Sequence, residues 1–444
     1  MSAREVARLV LDRVDKGGAW ATLTLDAELS RSGLDERDRR LVSELVYGVL
    51  RHRTRLDRAL EAHADRKKTP PKVWTALRVA AYQLLFLDRV PAYAAVDDAV
   101  ATAREFGGDK VAGFANAVLR KLTAQKEPPF PALAPDASLD AQLSRLEAFH
   151  SMPRWILDEL TAAVRGVTDA EGNATHAARA ARVAELAAAF AEQPPLIARV
   201  NVRRSSRAAR AARLEDAGIA VRDSAVVPSA LILDGGDPSR DLAFIAGDWT
   251  VQDAGAQLVG HFAIPEGARP AKILDACAGV GGKSTHLAEL TDDRATIHAA
   301  DQSGVKLGLL AETATRLGLS SITTHACDLT DPAAPLARDY DLIVIDAPCS
   351  GLGVLRRHPD AKWRLTPDTI PRLAALQAQL LDAIATRLAP GGTLVYAVCT
   401  FTRAEGPDQI AAFAKRSGMR VDEERRTWPP DADAFYMARL TRPA

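Results

Sequence analysis

Between Asp38 and Leu50 the apolar residues Val42, Leu45, Val46 and Val49 recur at three- and four-residue intervals among charged neighbours. That period lines one face of a helix, and Asp35 and Asp38 are its candidate N-caps. The same rhythm resumes after Thr69-Pro-Pro71 through Val79, Tyr82, Gln83 and Phe86. After Pro91 it runs again over 94–106, breaks at Gly107-Gly108 and continues over 111–122. Residues 1–126 are therefore expected to form an all-α domain.

The pattern then changes twice. Glu127 to Pro135 is a proline-rich linker, followed by helical runs at 152–164 and 176–191 with a loop at 168–176, so 127–194 reads as linker and helical segment. Over 195–260 the apolar period shortens: strands are expected at 196–202, 231–233 and 250–252 and a helix at 206–217, a small α+β segment. Over 261–444 apolar strands at 273–277, 296–300, 322–326, 341–345 and 393–398 alternate with helices at 283–290, 305–317 and 371–388. Such alternation predicts a doubly wound, mostly parallel α/β sheet of Rossmann-like type. Its ligands bind beyond the carboxyl ends of the strands. Asp275, Asp301, Asp328, Asp346, Cys349 and Cys399 sit at or just after such ends and are expected to converge.

Composition narrows the partners. A chain of 444 residues exceeds what one core usually serves, which agrees with several domains. Its formal net charge of +0 means that a nucleic acid would be held by local basic patches. Four cysteines, 277, 327, 349 and 399, form no CxxC pair; neither a disulfide scaffold nor a metal site is expected. No apolar run approaches membrane-spanning length. The expectation is a cytoplasmic monomer that does not engage membranes.

The turn Asp275-Ala-Cys-Ala-Gly-Val-Gly-Gly-Lys-Ser284 follows the first strand of the alternating region and opens a helix. Glycines allow close backbone approach to a ligand, and a helix N-terminus offers amide donors. The spacing fits neither a Walker A loop nor GxGxxG. With Asp301 placed for ribose hydroxyls and Asp328 for an adenine amino group, the turn favours a nucleoside cofactor. No phosphate binding is required, which suits S-adenosylmethionine better than a dinucleotide. Taken singly, either aspartate could equally be a turn residue.

Two further strands deliver thiols to the same edge, in Asp346-Ala-Pro-Cys349 and Val398-Cys399-Thr400. Cys327 reads as a small buried hydrophobe. Two thiols beside a methyl-donor turn suit methylation of pyrimidine carbon 5, which is a poor nucleophile until a thiolate adds to carbon 6. Asp346 is placed to stabilise charge on the ring nitrogen. From the residues alone either cysteine could attack, the Pro-Cys thiol Cys349 being favoured.

These motifs, with Val251–Leu258, resemble the RNA 5-methylcytosine methyltransferases, in particular those acting on the small-subunit (16S) ribosomal RNA. The helical domain resembles the antitermination factor NusB over 38–56 and 92–122. The resemblance implies an RNA-binding NusB-like domain ahead of a Rossmann-like methyltransferase domain. It further implies Cys399 as nucleophile, Cys349 as the product-release residue and Asp346 as the contact to base N3. Cofactor contacts carry over to Cys277, Ala278, Gly279, Val280, Gly281, Gly282, Lys283, Asp301, Asp328 and Asp346. Three positions depart from the family pattern: Val280 replaces a usual proline, Val398-Cys-Thr400 a usual Thr-Cys-Ser, and Ala404-Glu-Gly406 a usual Glu-Glu-Asn. These put in question the fine positioning of the Cys399 loop. Arg203, Arg204 and Arg207, then Arg356, Arg357, Lys362, Trp363 and Arg364, are candidate RNA contacts. A solvated helix face for the first group and a core tryptophan for Trp363 are the structural alternatives. A non-catalytic RNA-binding or antitermination factor, a 5-methylcytosine methyltransferase acting on another RNA, and a nucleotide-dependent oxidoreductase are the rival functional readings.

Overall fold

The computed structural model describes residues 1–443 apart from 131, 133–136, 169–171, 174 and 332. The proline-rich stretch at 127–135 and the loop at 168–176 thus lie partly outside the described residues. The chain divides into two compact units, one of residues 1–192 with 355–365 and one of 193–354 with 366–444.

The first unit is helical. Ser2 accepts from the Glu5 backbone N–H while the Glu5 carboxylate accepts from Ser2 N, a reciprocal cap that opens helix Ala3–Gly17. Asp35 accepts from Asp38 N at 2.9 Å and caps helix Glu36–Arg51, so Asp38 belongs to the first turn. The apolar stripe of that helix, Val42, Leu45, Val46 and Val49, is buried with Trp74 and Val79 of helix Pro71–Phe86. Gly108 has φ 71 inside Ala92–Gln125, where two helices meet at a kink. Helices Leu139–His150, Arg154–Ala163 and His176–Phe190 follow.

Residues 355–365 join this helical unit. Trp363 packs against its core and donates through Nε1 to Leu50 O at 2.7 Å. Lys362 Nζ donates to Arg51 O at 2.8 Å, and Arg51 Nη2 donates to Arg356 O at 3.0 Å.

Among its described residues the second unit holds two sheets. The smaller is antiparallel and comprises β1 (Leu196–Val200), β2 (Ala220–Asp223), β3 (Ala230–Asp234) and β4 (Trp249–Val251) in the order β2-β3-β1-β4. The larger has seven strands: β5 (Lys272–Ala276), β6 (Thr296–Asp301), β7 (Ile322–Ala326), β8 (Tyr340–Asp346), β9 (Leu388–Val398), β10 (Arg420–Arg426) and β11 (Tyr436–Thr441). Its order is β10-β11-β9-β8-β5-β6-β7; β5 to β9 are parallel, and β11 runs antiparallel between β9 and β10. This is the Rossmann-like architecture the alternation predicts. The chain runs outward from β5 through β6 to β7, then returns to β8 on the other side of β5. That reversal opens a crevice at the carboxyl ends of β5 and β8.

The interior of the larger sheet follows from composition. Ile273, Leu274, Val344 and Ile345 are fully buried, as central parallel strands covered on both faces must be. A buried arginine ties the smaller sheet to the glycine turn. Arg199 of β1 donates from Nη1 to Gln252 Oε1 and Gly282 O, each at 2.7 Å, and from Nη2 to Thr285 Oγ1 at 3.0 Å and Glu289 Oε1 at 2.9 Å. The Gly282–Leu290 helix is thereby fixed along its length. Among the described residues no helix is long and apolar enough to cross a membrane.

Candidate active site

The turn after β5 is built by left-handed backbone: Cys277 has φ 62, Gly279 φ 58 and Gly281 φ 84. A Cβ on Gly281 would stand 2.2 Å from Leu310 Cγ, so glycine is required there by space as well as by conformation. Gly279 N donates to Asp301 Oδ2 at 2.9 Å, and Ser303 N donates to Asp301 Oδ1 at 2.8 Å. The acid ending β6 is thus clamped by the turn and by the start of the next helix, leaving lone pairs on both oxygens for a ligand.

In front of the turn lies a cleft of about 440 Å³ lined by Cys277, Gly279, Asp301, Asp346, Cys349 and Cys399, among others. Four of the six strand-end residues expected to converge line it. Asp275 lies behind the turn, fully buried, with the Ser284 hydroxyl donating to it. Burial pushes its carboxyl up to about 7. Asp328 is exposed, and its Oδ1 accepts from Thr330 N at 2.9 Å and Thr330 Oγ1 at 2.7 Å. Those bonds hold its carboxyl below the usual range, and it serves as a turn residue. Leu329 and Thr330 take its place in the cleft wall, with Gln302 and Lys306.

The remaining turn residues divide by direction. Ala278 N donates to Ala300 O at 2.9 Å, and Gly282 O accepts from Arg199. Val280 is exposed at 55% and does not line the cleft. Cys327 is half-buried against the core beneath β8 and β9.

At the cleft rim the two thiols meet. Cys349 Sγ and Cys399 Sγ are 3.3 Å apart. The ends of their strands are pinned together by Ala347 N donating to Ala397 O and Gly353 N donating to Cys399 O, both at 3.0 Å. Lys283 Nζ donates to Asp346 Oδ2 at 2.5 Å. Burial works against a charge on Lys283, yet Asp346 overrides it and Cys399 adds to the effect, so the ammonium is held above the ordinary lysine value. Cys349 moves the other way. Its contact with Cys399, then burial, then the negative charges of Glu405 and Asp346 raise its thiol well above the normal range. Of the two sulfurs, Cys399 is the one that interacts with the Lys283 ammonium.

Glu405 is the acid that Ala404-Glu-Gly406 keeps where the family has Glu-Glu-Asn, and nothing beside it in the chain assigns it a role. It is fully buried and hydrogen-bonds to the loops of both cysteines. The pairing of Lys283 with Asp346 was equally hidden, since Lys283 reads locally as part of the glycine turn.

The candidate RNA contacts fall into two sets. Arg203 and Arg204 are exposed and Arg207 is half-buried; they lean on Asp292, Ala246 O and Asp223 respectively. In the helical unit Arg356 and Lys362 are buried, which takes them off the solvent face where phosphate would be met. Trp363 occupies the core role, with Arg53 5.2 Å from its ring centroid. Arg357 and Arg364 are half-buried, and the Arg364 guanidinium lies 3.7 Å from the Trp20 ring centroid. Trp20 itself is 53% exposed.

The residues of the cleft fit a nucleoside methyl donor. The turn leaves space at Gly279, where a Cβ would meet nothing within 4 Å, and the Asp301 carboxylate stands on the same wall.

Comparison with known proteins agrees with this architecture. The model of the 16S rRNA methyltransferase RsmB/F family matches residues 266–441, and that of the NusB family residues 1–124. The ferredoxin-like domain of RsmF/B-like methyltransferases matches residues 173–239. A probable ribosomal RNA small subunit methyltransferase B of Synechocystis is 37% identical over 93% of this chain and 89% of its own length. The ribosomal RNA small subunit methyltransferase B of Pseudomonas putida is 33% identical over 100% of this chain and 99% of its own. The crystal structure of PH0851 superposes with a TM-score of 0.75 at 21% identity, covering 98% of this chain and 97% of the other. Near-complete coverage at such identity, on a fold with this thiol pair at its switch point, places the chain in the RsmB/F family of 16S ribosomal RNA methyltransferases.

Proposed function

We propose that this protein transfers a methyl group from S-adenosylmethionine to carbon 5 of a cytosine in small-subunit ribosomal RNA. The observation that carries the reading is the thiol pair at 3.3 Å beside the Lys283–Asp346 pair at the cleft rim. A single nucleophile would need one sulfur; two within reach of one ring suit a reaction in which a covalent bond is made and later broken.

Cys399, which interacts with the Lys283 ammonium, attacks carbon 6. Addition leaves ring nitrogen 3 basic; Asp346 faces it and relays to it a proton from the Lys283 ammonium, which returns by the same route on release. The bound cofactor supplies the methyl group that carbon 5 takes up, and Cys277, Gly279 and Asp301 would hold it. In release a water molecule takes the carbon-5 proton, the electron pair of that bond restores the ring double bond as the carbon 6–sulfur bond breaks, and Cys349, kept as a thiol 3.3 Å away, donates its S–H to the departing Cys399 thiolate. A base inside a helix cannot reach this rim, so the target is single-stranded or extruded. Arg203, Arg204 and Arg207 position the RNA backbone by phosphate contacts.

Small-subunit ribosomal RNA carrying tritium at cytosine carbon 5 tests the reading directly. Wild-type protein with S-adenosylmethionine should release tritium as it transfers methyl. Cys399→Ala should release none. Cys349→Ala should leave protein bonded to RNA on a denaturing gel. Methyl transfer to the RNA without tritium release, or an active Cys399→Ala variant, would defeat the assignment.

A further inference from the structure

Glu405 lies six residues beyond Cys399, fully buried, and its carboxylate is surrounded by donors. Oε1 accepts from Ser350 N at 2.7 Å and Gln377 Nε2 at 3.2 Å. Oε2 accepts from the hydroxyls of Ser350 at 2.6 Å, Thr402 at 2.9 Å and Thr400 at 3.3 Å. Ser350 follows Cys349 in the chain and Thr400 follows Cys399, so one carboxylate grips the neighbour of each sulfur. The Ser350 and Thr400 hydroxyls also meet at 2.9 Å, and Gln377 donates to Pro348 O at 2.9 Å, on the other side of Cys349. From below, the Tyr396 hydroxyl donates to Glu405 O at 2.7 Å.

We propose that Glu405 is the positioning residue of the thiol pair, holding both cysteine loops in register and setting its charge on the Cys349 side. This deepens the proposed reaction and rests on it only for the consequence in turnover. Around the Cys349 sulfur stand Cys399, Glu405, Asp346 and Tyr396. None of these is a cation. Lys283 is engaged by Asp346 and acts on Cys399. A negative charge that cannot be screened by water disfavours a second one next to it, so Cys349 stays a thiol. The geometric part is separate. Without the carboxylate, Ser350 N and three hydroxyls lose a shared acceptor, and the two loops lose the group that closes the gap between them.

The test reads each thiol by itself. Iodoacetamide labelling of the full-length protein, resolved by mass spectrometry at Cys349 and Cys399 from about pH 6 to about pH 11, gives a midpoint, or a lower bound on it, for each. Glu405→Gln should bring the Cys349 midpoint down by about one pH unit and leave that of Cys399 much less changed. Glu405→Asp, which restores the charge, should return the Cys349 midpoint toward the wild-type value. In tritium release Glu405→Gln should lower kcat at least about tenfold with KM for RNA little altered. Unchanged Cys349 labelling in a folded Glu405→Gln protein would overturn the electrostatic role. Should that variant not fold, Ser350→Ala removes one grip and keeps the charge. It should lower kcat without moving the Cys349 midpoint, and an unaltered kcat would overturn the positioning role. The labelling uses neither RNA nor methyl donor, so a wrong assignment of the reaction would leave its outcome standing.

Discussion

Replacing Lys362 by methionine should make the protein more stable, and by an amount that depends on pH. Lys362 is 3% exposed in the helical unit, and its ammonium has Arg51 O as acceptor at 2.8 Å. Burial first, and the Arg51 charge second, bring its pKa from 10.5 down to about 7. In the unfolded chain the ordinary value applies. Between about pH 7 and 10.5 the unfolded chain therefore holds a proton that the folded one has lost, so stability rises with pH across that window. Below about pH 7 the penalty is complete. A gap of about 3.5 pH units corresponds to about 5 kcal/mol at pH 6, falling to about 2 kcal/mol at pH 9. Methionine keeps the apolar stem and removes the charge, at the loss of one hydrogen bond worth about 1 kcal/mol. The advantage of Lys362→Met should thus shrink by about 3 kcal/mol from pH 6 to pH 9. His52 and His150 nearby are pushed to about 3 and about 4, so they do not titrate in this window.

Amide hydrogen exchange in helix Glu36–Arg51 reports opening of the helical unit alone and gives the two stabilities. RNA affinity measured against salt supplies the second arm. A lysine that neutralised a phosphate would, on removal, weaken binding and reduce the salt slope by about one. The burial seen here requires both affinity and slope to stay. A variant equally stable relative to wild type at the two pH values, or one with a shallower salt slope, would refute the reasoning.

Other outcomes follow from the second unit. Arg199→Met leaves Glu289 buried without its partner and should cost about 3–5 kcal/mol in thermal or urea unfolding, whereas Arg199→Met with Glu289→Leu should recover much of that. Gly281→Ala forces a Cβ to 2.2 Å from Leu310 at φ 84, and calorimetric titration with S-adenosylhomocysteine should show affinity reduced by at least about tenfold. Cys349 and Cys399, 3.3 Å apart, should be bridged by mild peroxide, two thiols giving a disulfide and water, with methyl transfer lost and then restored by dithiothreitol. Neutralising Arg203, Arg204 and Arg207 together to glutamine should weaken RNA binding and flatten its salt dependence, without changing cofactor affinity.

What could be read from the chain alone depended on whether neighbours in sequence were also neighbours in space. The buried strands β5 and β8 are continuous apolar runs ending in acids and thiols, so both the sheet and the ring of ligand-facing residues at its edge are legible. Strand β10, Arg-Val-Asp-Glu-Glu-Arg-Arg426, is an edge strand carrying almost only charge, as exposed edges often do, and no apolar period betrays it. The stretch Arg356–Arg364 shows the opposite failure. Its cations and tryptophan look like a nucleic-acid surface, but the acceptors that bury Lys362 and Trp363 are the carbonyls of Arg51 and Leu50, some three hundred residues earlier. The two cysteines illustrate the same limit at the site itself. Each follows a strand, each is half-buried, and nothing beside them in the chain says how their surroundings differ. The charges set around them are Lys283, on the helix after the glycine turn, and Glu405, on the loop after β9. A thiol's surroundings here are set by which charge the fold brings to it, and that charge belongs to another part of the chain.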